Sequence, residues 1–279
     1  MAIISFYSGD KKETGQTLSM AAVATHMSIQ HNYRILVVDA TFDDDTLERC
    51  FWKMNTNQAV KILNKGKVDI ANGAEGLISA VASNKATPEI VTNYTRVVFK
   101  NRLDILCGLK TKIPEEFTKS LMLYKDLVNT ASKYYDFVFI DLEKTLKKDT
   151  TRALLEASTL IVYNFSQNLK QCDGYIEEVA ANKSIFTKDK LIPLLSDADD
   201  DCKYNVKNAT RYLKEKKEIN QVLHNSNFME AASEAGVANF FLKTRVSKGA
   251  MDKNSLFINS IEGVCQRIEY MLEELKYKY

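Results

Sequence analysis

Proline is scarce in this chain of 279 residues (3 in all) and glycine is modest (10). No Pro/Gly-rich linker therefore divides it. The length could hold one large α/β domain or two small ones, and without a linker a single domain over residues 1–279 is expected. No run of 18 apolar residues occurs, which argues against a transmembrane helix. The first residues read as a strand and lack the charged-then-apolar layout of a secretory signal, so a cytoplasmic location is expected. The five cysteines (Cys50, Cys107, Cys172, Cys202 and Cys265) form no CxxC pair and no metal-ligand spacing. They read as reduced, mostly buried thiols. The three histidines are dispersed and are assigned no metal. An excess of one charge sign is also missing. Lys+Arg number 38 against 36 Asp+Glu, a net +2, which points neither toward nor away from nucleic acid.

What the chain does have is material for a core, with 45% hydrophobic and 10% aromatic residues. Disorder is excluded on that composition. Short runs rich in β-branched and aromatic residues predict buried strands at 2–7, 34–40, 102–108, 135–142, 159–165 and 190–196. The stretch TLSMAAVATHMSIQH predicts a helix packed closely on a sheet. EEFTKSLMLYKDLVNTASKY places Phe117, Leu121, Leu127 and Val128 at helical spacing. Strands alternating with helices give an α/β fold: a mostly parallel central sheet flanked by helices. In such sheets ligands gather outside the carboxyl ends of the strands. Residues 8–17, 39–45, 141–146 and 196–201 are expected to meet there.

The first of these ends carries GDKKETGQT and then a helix. A phosphate-binding loop of the GxxxxGK[ST] type needs glycine, four residues, then Gly-Lys-Ser or Gly-Lys-Thr. Gly15 and Thr17 stand in place, but Gln16 holds the lysine position and Asp10 the first glycine. Backbone N–H groups from Thr14 to Leu18 would face an anion, helped by the helix dipole. The Thr17 hydroxyl suits Mg²⁺. The competing reading is a polar turn that caps the helix through Thr14 or Thr17. FVFID ends a buried strand on Asp141, the usual place for a carboxylate that holds Mg²⁺ through water. VVDATFDDDT brings Asp39, Asp43, Asp44 and Asp45 to a third end. Asp44 and Asp45 also suit the start of a following helix.

Together these residues resemble the ParA/MinD group of deviant P-loop ATPases, in pattern over nearly all of the chain. That group reads KGGxGKT where this chain has KKETGQT. The resemblance puts Lys11 at the position of a signature lysine, which in the group reaches a partner subunit's nucleotide. It puts Lys12, Glu13 and Gln16 where the group has Gly, Gly and the phosphate-binding Lys. It implies nucleotide contacts at Gly9, Asp10, Lys11, Lys12, Glu13, Thr14, Gly15, Gln16, Thr17 and Leu18. Base contacts are implied at Ser196 and Asp197, with Val222–His224 nearby. The group's Asp-x-Asp falls on Asp39-Ala40-Thr41, so its water-orienting second carboxylate is missing and Asp43 is the available substitute. The implied catalytic set is Lys11, Asp39 and Asp43, the metal set is Thr17 and Asp141, and the cofactors are ATP and Mg²⁺. VLHNSNFMEAASEAGVANFFLKTR further resembles the TadZ/CpaE pilus-assembly branch, which tolerates altered phosphate loops.

A full charge is lost at Gln16, and charged hydrogen bonds contribute roughly 1.5–3 kcal/mol, so binding should weaken about ten- to a hundredfold. Losing the water-orienting carboxylate adds a penalty on the chemical step. The expected function is an ATP-binding positioning or assembly protein, a homodimer bridged by nucleotide, with weak or absent hydrolysis. It would serve a protein partner in a membrane-associated or DNA-segregation assembly. A scaffold that needs no nucleotide and a DNA-partitioning ATPase are the alternatives. RYLKEKKE (211–218) and KTRVSKGAMDK (243–253) are the stretches basic enough to touch DNA. The final segment places Phe257, Ile261, Val264, Ile268, Met271 and Leu275 on one helical face. Its glutamates favour docking on the core over lying on anionic lipid.

Overall fold

The computed structural model describes residues 1–10, 14–54, 73–83, 87–144, 148–216, 218–244 and 252–278. Lys11, Lys12 and Glu13 lie outside them, as do 145–147 of the third strand end, Lys217 and residues 245–251.

The chain runs β1 (Ala2–Tyr7), α1 (Gln16–Gln30), β2 (Ile35–Ala40), α2 (Thr46–Phe51) and α3 (Ala74–Ala82). It continues through β3 (Arg96–Phe99), β4 (Leu103–Leu106), α4 (Pro114–Leu121), α5 (Tyr124–Ala131), β5 (Phe137–Leu142) and α6 (Lys148–Ala157). The last third holds β6 (Leu160–Phe165), α7 (Leu169–Ala181), β7 (Leu191–Ala198), α8 (Val206–Tyr212) and β8 (Asn220–Leu223). Three helices close it: α9 (Ser226–Ser233), α10 (Val237–Thr244) and α11 (Lys253–Lys278).

Eight strands make one sheet in the order β3-β4-β2-β5-β1-β6-β7-β8. All neighbours are parallel except β3, which pairs antiparallel with β4. The central strands are buried at every position, which is why they read as continuous apolar runs. Side chains alternate between two cores. Ile4 and Phe6 point into the one shared with α1, α10 and α11, while Ile3 and Tyr7 point into the one shared with α4 to α7. Helix α1 is buried around most of its circumference, and its Ala and Ser residues let it sit tightly against the sheet. Helix α11 docks on the core through Phe257, Ile261, Val264, Ile268 and Met271, with Leu275 partly buried, as its spacing predicts.

Three features depart from the sequence expectation. The edge strands β3 and β8 are additional, and the single helix expected after residue 114 is two. Met122 and Leu123 break it, both exposed, and a tight turn from Leu123 N–H to the Ser120 carbonyl separates α4 from α5. Four of the five cysteines are buried as free thiols, Cys202 being half-buried. Among the described residues, no helix is long and apolar enough to cross a membrane.

Candidate functional site

The strand order places the carboxyl ends of β2, β5 and β1 side by side. In register, Asp39 of β2 lies opposite Asp141 of β5, and Phe6 of β1 flanks Asp141 on the other side. Asp141 is therefore buried at the centre of the sheet's edge. Two side chains from the first turn of α1 reach it. Thr17 donates its hydroxyl to Asp141 Oδ2 at 2.7 Å, and Gln16 donates its amide to Oδ1 at 2.6 Å and to the Leu142 carbonyl at 3.3 Å. Thr17 and Asp141, the two residues expected from sequence to serve the metal, are hydrogen-bonded to each other. The partner of Gln16 was not legible in the sequence, because it depends on how α1 sits over β5.

Gly15 supplies the N-cap of α1 with φ 63°, in the left-handed region that favours glycine. A Cβ there would meet Ser196 Cβ at 2.8 Å, so the loop lies directly on the end of β7. Among the described residues no side-chain hydrogen bond caps α1, and its first turn carries no acid. The helix-cap reading of Thr14 and Thr17 is thereby set aside: Thr17 is engaged by Asp141 and Thr14 is buried. The N-terminal amides of α1 face the strand ends, where an anion would be stabilised.

Burial dominates the electrostatics. Asp39 is pushed up to about 8, first by burial and then by Asp141, against hydrogen bonds from Thr41 that favour its charge. Asp141 is pushed up to about 6 by burial, opposed by Thr17 and Gln16. Asp39 Oδ1 accepts from the Thr41 amide at 2.9 Å and hydroxyl at 2.7 Å. Gly108, after β4, leaves room for its other oxygen, since a Cβ there would stand 2.8 Å from Oδ2. Neither Thr41 nor Gly108 was singled out for this role from sequence.

The remaining predicted positions are more dispersed. Asp43 turns outward with φ 50° and pairs with Lys112 at 3.5 Å. Asp44 and Asp45 serve the start of α2: Asp44 accepts from Thr46, and Asp45 pairs with Arg49. Ser196 is buried and donates to Asn164 Oδ1 at 3.0 Å. Asp197 lies 2.8 Å from His224 Nδ1, so the two expected base-contact segments do meet. Asp10 and Gly9 follow β1, with the Asp10 amide bonded to Ser8 Oγ at 3.2 Å. A Cβ on Gly9 would overlap the Tyr163 hydroxyl.

For a cation, the donors at the strand ends are oxygens, which suits a hard ion such as Mg²⁺. Among the described residues no group of three or more His, Cys, Asp or Glu could hold a metal ion. The protein's share would be one hydroxyl and one carboxylate, with other ligands from phosphate and water, as is usual for Mg²⁺.

A parallel sheet with helices on both faces, a glycine turn into a helix after β1 and a buried carboxylate ending the neighbouring strand define the P-loop α/β class. Within that class, the chain has the fold of the ParA/MinD ATPases. A ParA family ATPase from Chlorobium tepidum TLS superposes with TM-score 0.68 at 16% identity, covering 92% of this chain and 96% of that one. The septum site-determining protein MinD from Pyrococcus horikoshii OT3, solved with Mg-ADP, gives 0.67 at 15%, covering 97% and 98%. A plasmid partition protein from Borrelia burgdorferi B31, bound to AMPPNP, gives 0.65 at 15%, covering 100% and 99%. No protein-family model and no curated protein matches the chain in sequence.

Proposed function

We propose that the protein is a nucleotide-dependent positioning or assembly protein, binding ATP with Mg²⁺ at the strand ends and dimerising around it, with slow or absent hydrolysis. The observation that carries this reading is the Thr17–Asp141 pair beneath the uncapped, glycine-initiated N-terminus of α1. The amides from Thr14 to Leu18 would hold the phosphates, and Gly9 to Glu13 would line the loop. Thr17 would hold the metal directly and Asp141 through water, with Ser196 and Asp197 beside the base. The ParA/MinD fold supports the assignment, since relatives of that fold have been solved with Mg-ADP and with AMPPNP.

Slow turnover follows from the chemistry of the chain's own groups. Gln16 brings no positive charge to the phosphates. Asp39, proposed as catalytic, is tied to Thr41 and holds a proton near neutral pH, which makes it a poor acceptor for a water proton. Asp43 is oriented toward Lys112. Lys11 is left as the charge that neutralises the γ-phosphate, in cis or across a dimer. The partners would be a second copy of the chain and a protein of a membrane-associated or DNA-segregation assembly, with a cytoplasmic location.

The test is calorimetric titration with ATP, with and without Mg²⁺, and light scattering on the same samples. Saturable, Mg²⁺-dependent binding with a shift from monomer to dimer is expected. No heat and no change in mass would overturn the reading. A second reading, a scaffold that needs no nucleotide, is favoured by the Gln16–Asp141 bond, which satisfies the carboxylate without a ligand. It requires that Mg-ATP leave thermal stability unchanged, whereas a ligand at a hundred times its dissociation constant adds roughly 2.7 kcal/mol.

A further inference from the structure

On the face of the sheet opposite α1, a cleft of about 920 Å³ opens between α6 and α7. Its floor is aromatic. Tyr7 and Tyr163, at the ends of β1 and β6, meet edge to face at 5.4 Å, and Phe186 lies 5.7 Å from Tyr163. One carboxylate stands in this floor. Glu178 Oε1 accepts the Tyr7 hydroxyl at 2.6 Å, while Oε2 accepts the Tyr163 hydroxyl at 2.9 Å and the Lys144 ammonium at 3.2 Å. Burial and the neighbouring Glu178 carboxylate hold both phenols far above their ordinary range, so they act as neutral donors.

The three partners differ in how firmly they are held. The tyrosines are core side chains, but the Lys144 side chain is 42% exposed against 17% for Glu178. An ammonium already occupies the position, and it is the one partner that can leave. The α7 wall gives an independent sign. Gly174, Glu178 and Ala181 share one helical face lining the cleft, and a Cβ on Gly174 would meet nothing within 4 Å. Glycine inside a helix costs about 1 kcal/mol relative to alanine, and packing does not ask for it here. The low wall leaves space for a guest. The charge is complementary to a cation: five carboxylates line the cleft against three cations, and one of those, Arg152, is paired with Glu156 at 2.8 Å.

We propose that this cleft binds a small organic cation, a primary ammonium or guanidinium on a flat apolar body. Its charge takes the place of Lys144 at Glu178, and its body lies in the cleft beside Gly174. The carboxylate recognises such a group through charge-assisted hydrogen bonding, and the apolar lining of the cleft takes its body. The proposal does not rest on nucleotide binding at the strand ends.

The experiment uses the full chain, with 2-phenylethylammonium as probe and 2-phenylethanol as its uncharged counterpart, in ligand-observed NMR and calorimetry. Saturable binding of the ammonium is expected, roughly tenfold or more tighter than the alcohol. Lys144→Met removes the built-in competitor and should tighten binding severalfold. Gly174→Leu fills the wall and should abolish binding, at a half-buried helix position where a Cβ meets nothing within 4 Å. Glu178→Gln should weaken binding at least about tenfold, while its amide oxygen still accepts from one tyrosine and its NH2 can donate to the hydroxyl oxygen of the other. The proposal is overturned if neither wild type nor Lys144→Met binds the ammonium saturably. Equal affinity for the alcohol, or undiminished binding by both Glu178→Gln and Gly174→Leu, would overturn it as well.

Discussion

Two carboxylates lie beside the carboxyl end of β1, Asp141 on the neighbouring strand β5 and Glu178 on α7 against Tyr7, and they are satisfied in opposite ways. Asp141 is buried and, among the described residues, accepts only from neutral groups, the Thr17 hydroxyl and the Gln16 amide, with a second carboxylate, Asp39, beside it in the sheet. Glu178 accepts from two phenols and an ammonium and is partly open to solvent. The first pair is pushed upward, to about 6 for Asp141 and about 8 for Asp39. A buried carboxylate pair with no cation beside it among the described residues stores a demand for positive charge. A carboxylate with a displaceable lysine already has that demand met. The difference separates a site that would gain stability from a metal ion from one that exchanges one cation for another.

The largest effect that would break this contrast is on pH dependence. Asp39 and Asp141 hold their protons more tightly in the folded chain than in the unfolded one. Their stabilisation is therefore complete below about pH 4 and is lost as pH rises through 6 and then 8. In metal-free buffer, Asp39→Asn should be more stable than wild type at pH 9 by about 2–4 kcal/mol, and nearly equal to it at pH 5. Urea unfolding across pH measures this, and a difference that does not change with pH would remove the stored demand from the account. Next comes Gly15→Ala. Its φ of 63° and the 2.8 Å approach to Ser196 predict a loss of about 1–3 kcal/mol in the same assay. Gln16→Lys would give Asp141 the cation that Glu178 already has. If the strand ends bind ATP, its affinity should rise about tenfold in calorimetry. The smallest change, Tyr163→Phe, leaves Glu178 with Tyr7 and Lys144 and should cost about 1 kcal/mol of thermal stability.

How much was legible in the sequence depended on whether a feature lives along the chain or across it. Six strands were read correctly because burial on both faces leaves apolar runs such as Phe137–Ile140. β3 escaped because Arg96 and Val97 are exposed, and its pairing is made by a turn at Asn101 with φ 61°. β8 escaped because Val222 alone is fully buried in its four residues. The helix spacing from Phe117 to Val128 reads straight through Met122 and Leu123, whose exposure marks the break between α4 and α5. At the candidate site, Thr17 and Asp141 were legible by residue type and position. The hold of Thr41 on Asp39, and of Gln16 on Asp141, depends on rotamers and on how α1 lies over β5. Glu178 carried no signal, since its partners come from β1, β6 and the segment after β5.

The strand order also sets a timetable. β1 is made first, yet its two neighbours in the sheet are β5, at the middle of the chain, and β6, just beyond it. At roughly 5–20 residues per second of synthesis, an apolar strand waits on the order of ten seconds before either flank exists. Until then IISFY is an uncovered edge, the kind of segment that aggregates or recruits a chaperone. Slow, late-closing assembly is thus built into the topology. The loop after β1 gains the carboxylate of Asp141 only when that closure happens, so no cation can be gathered there by a half-made chain.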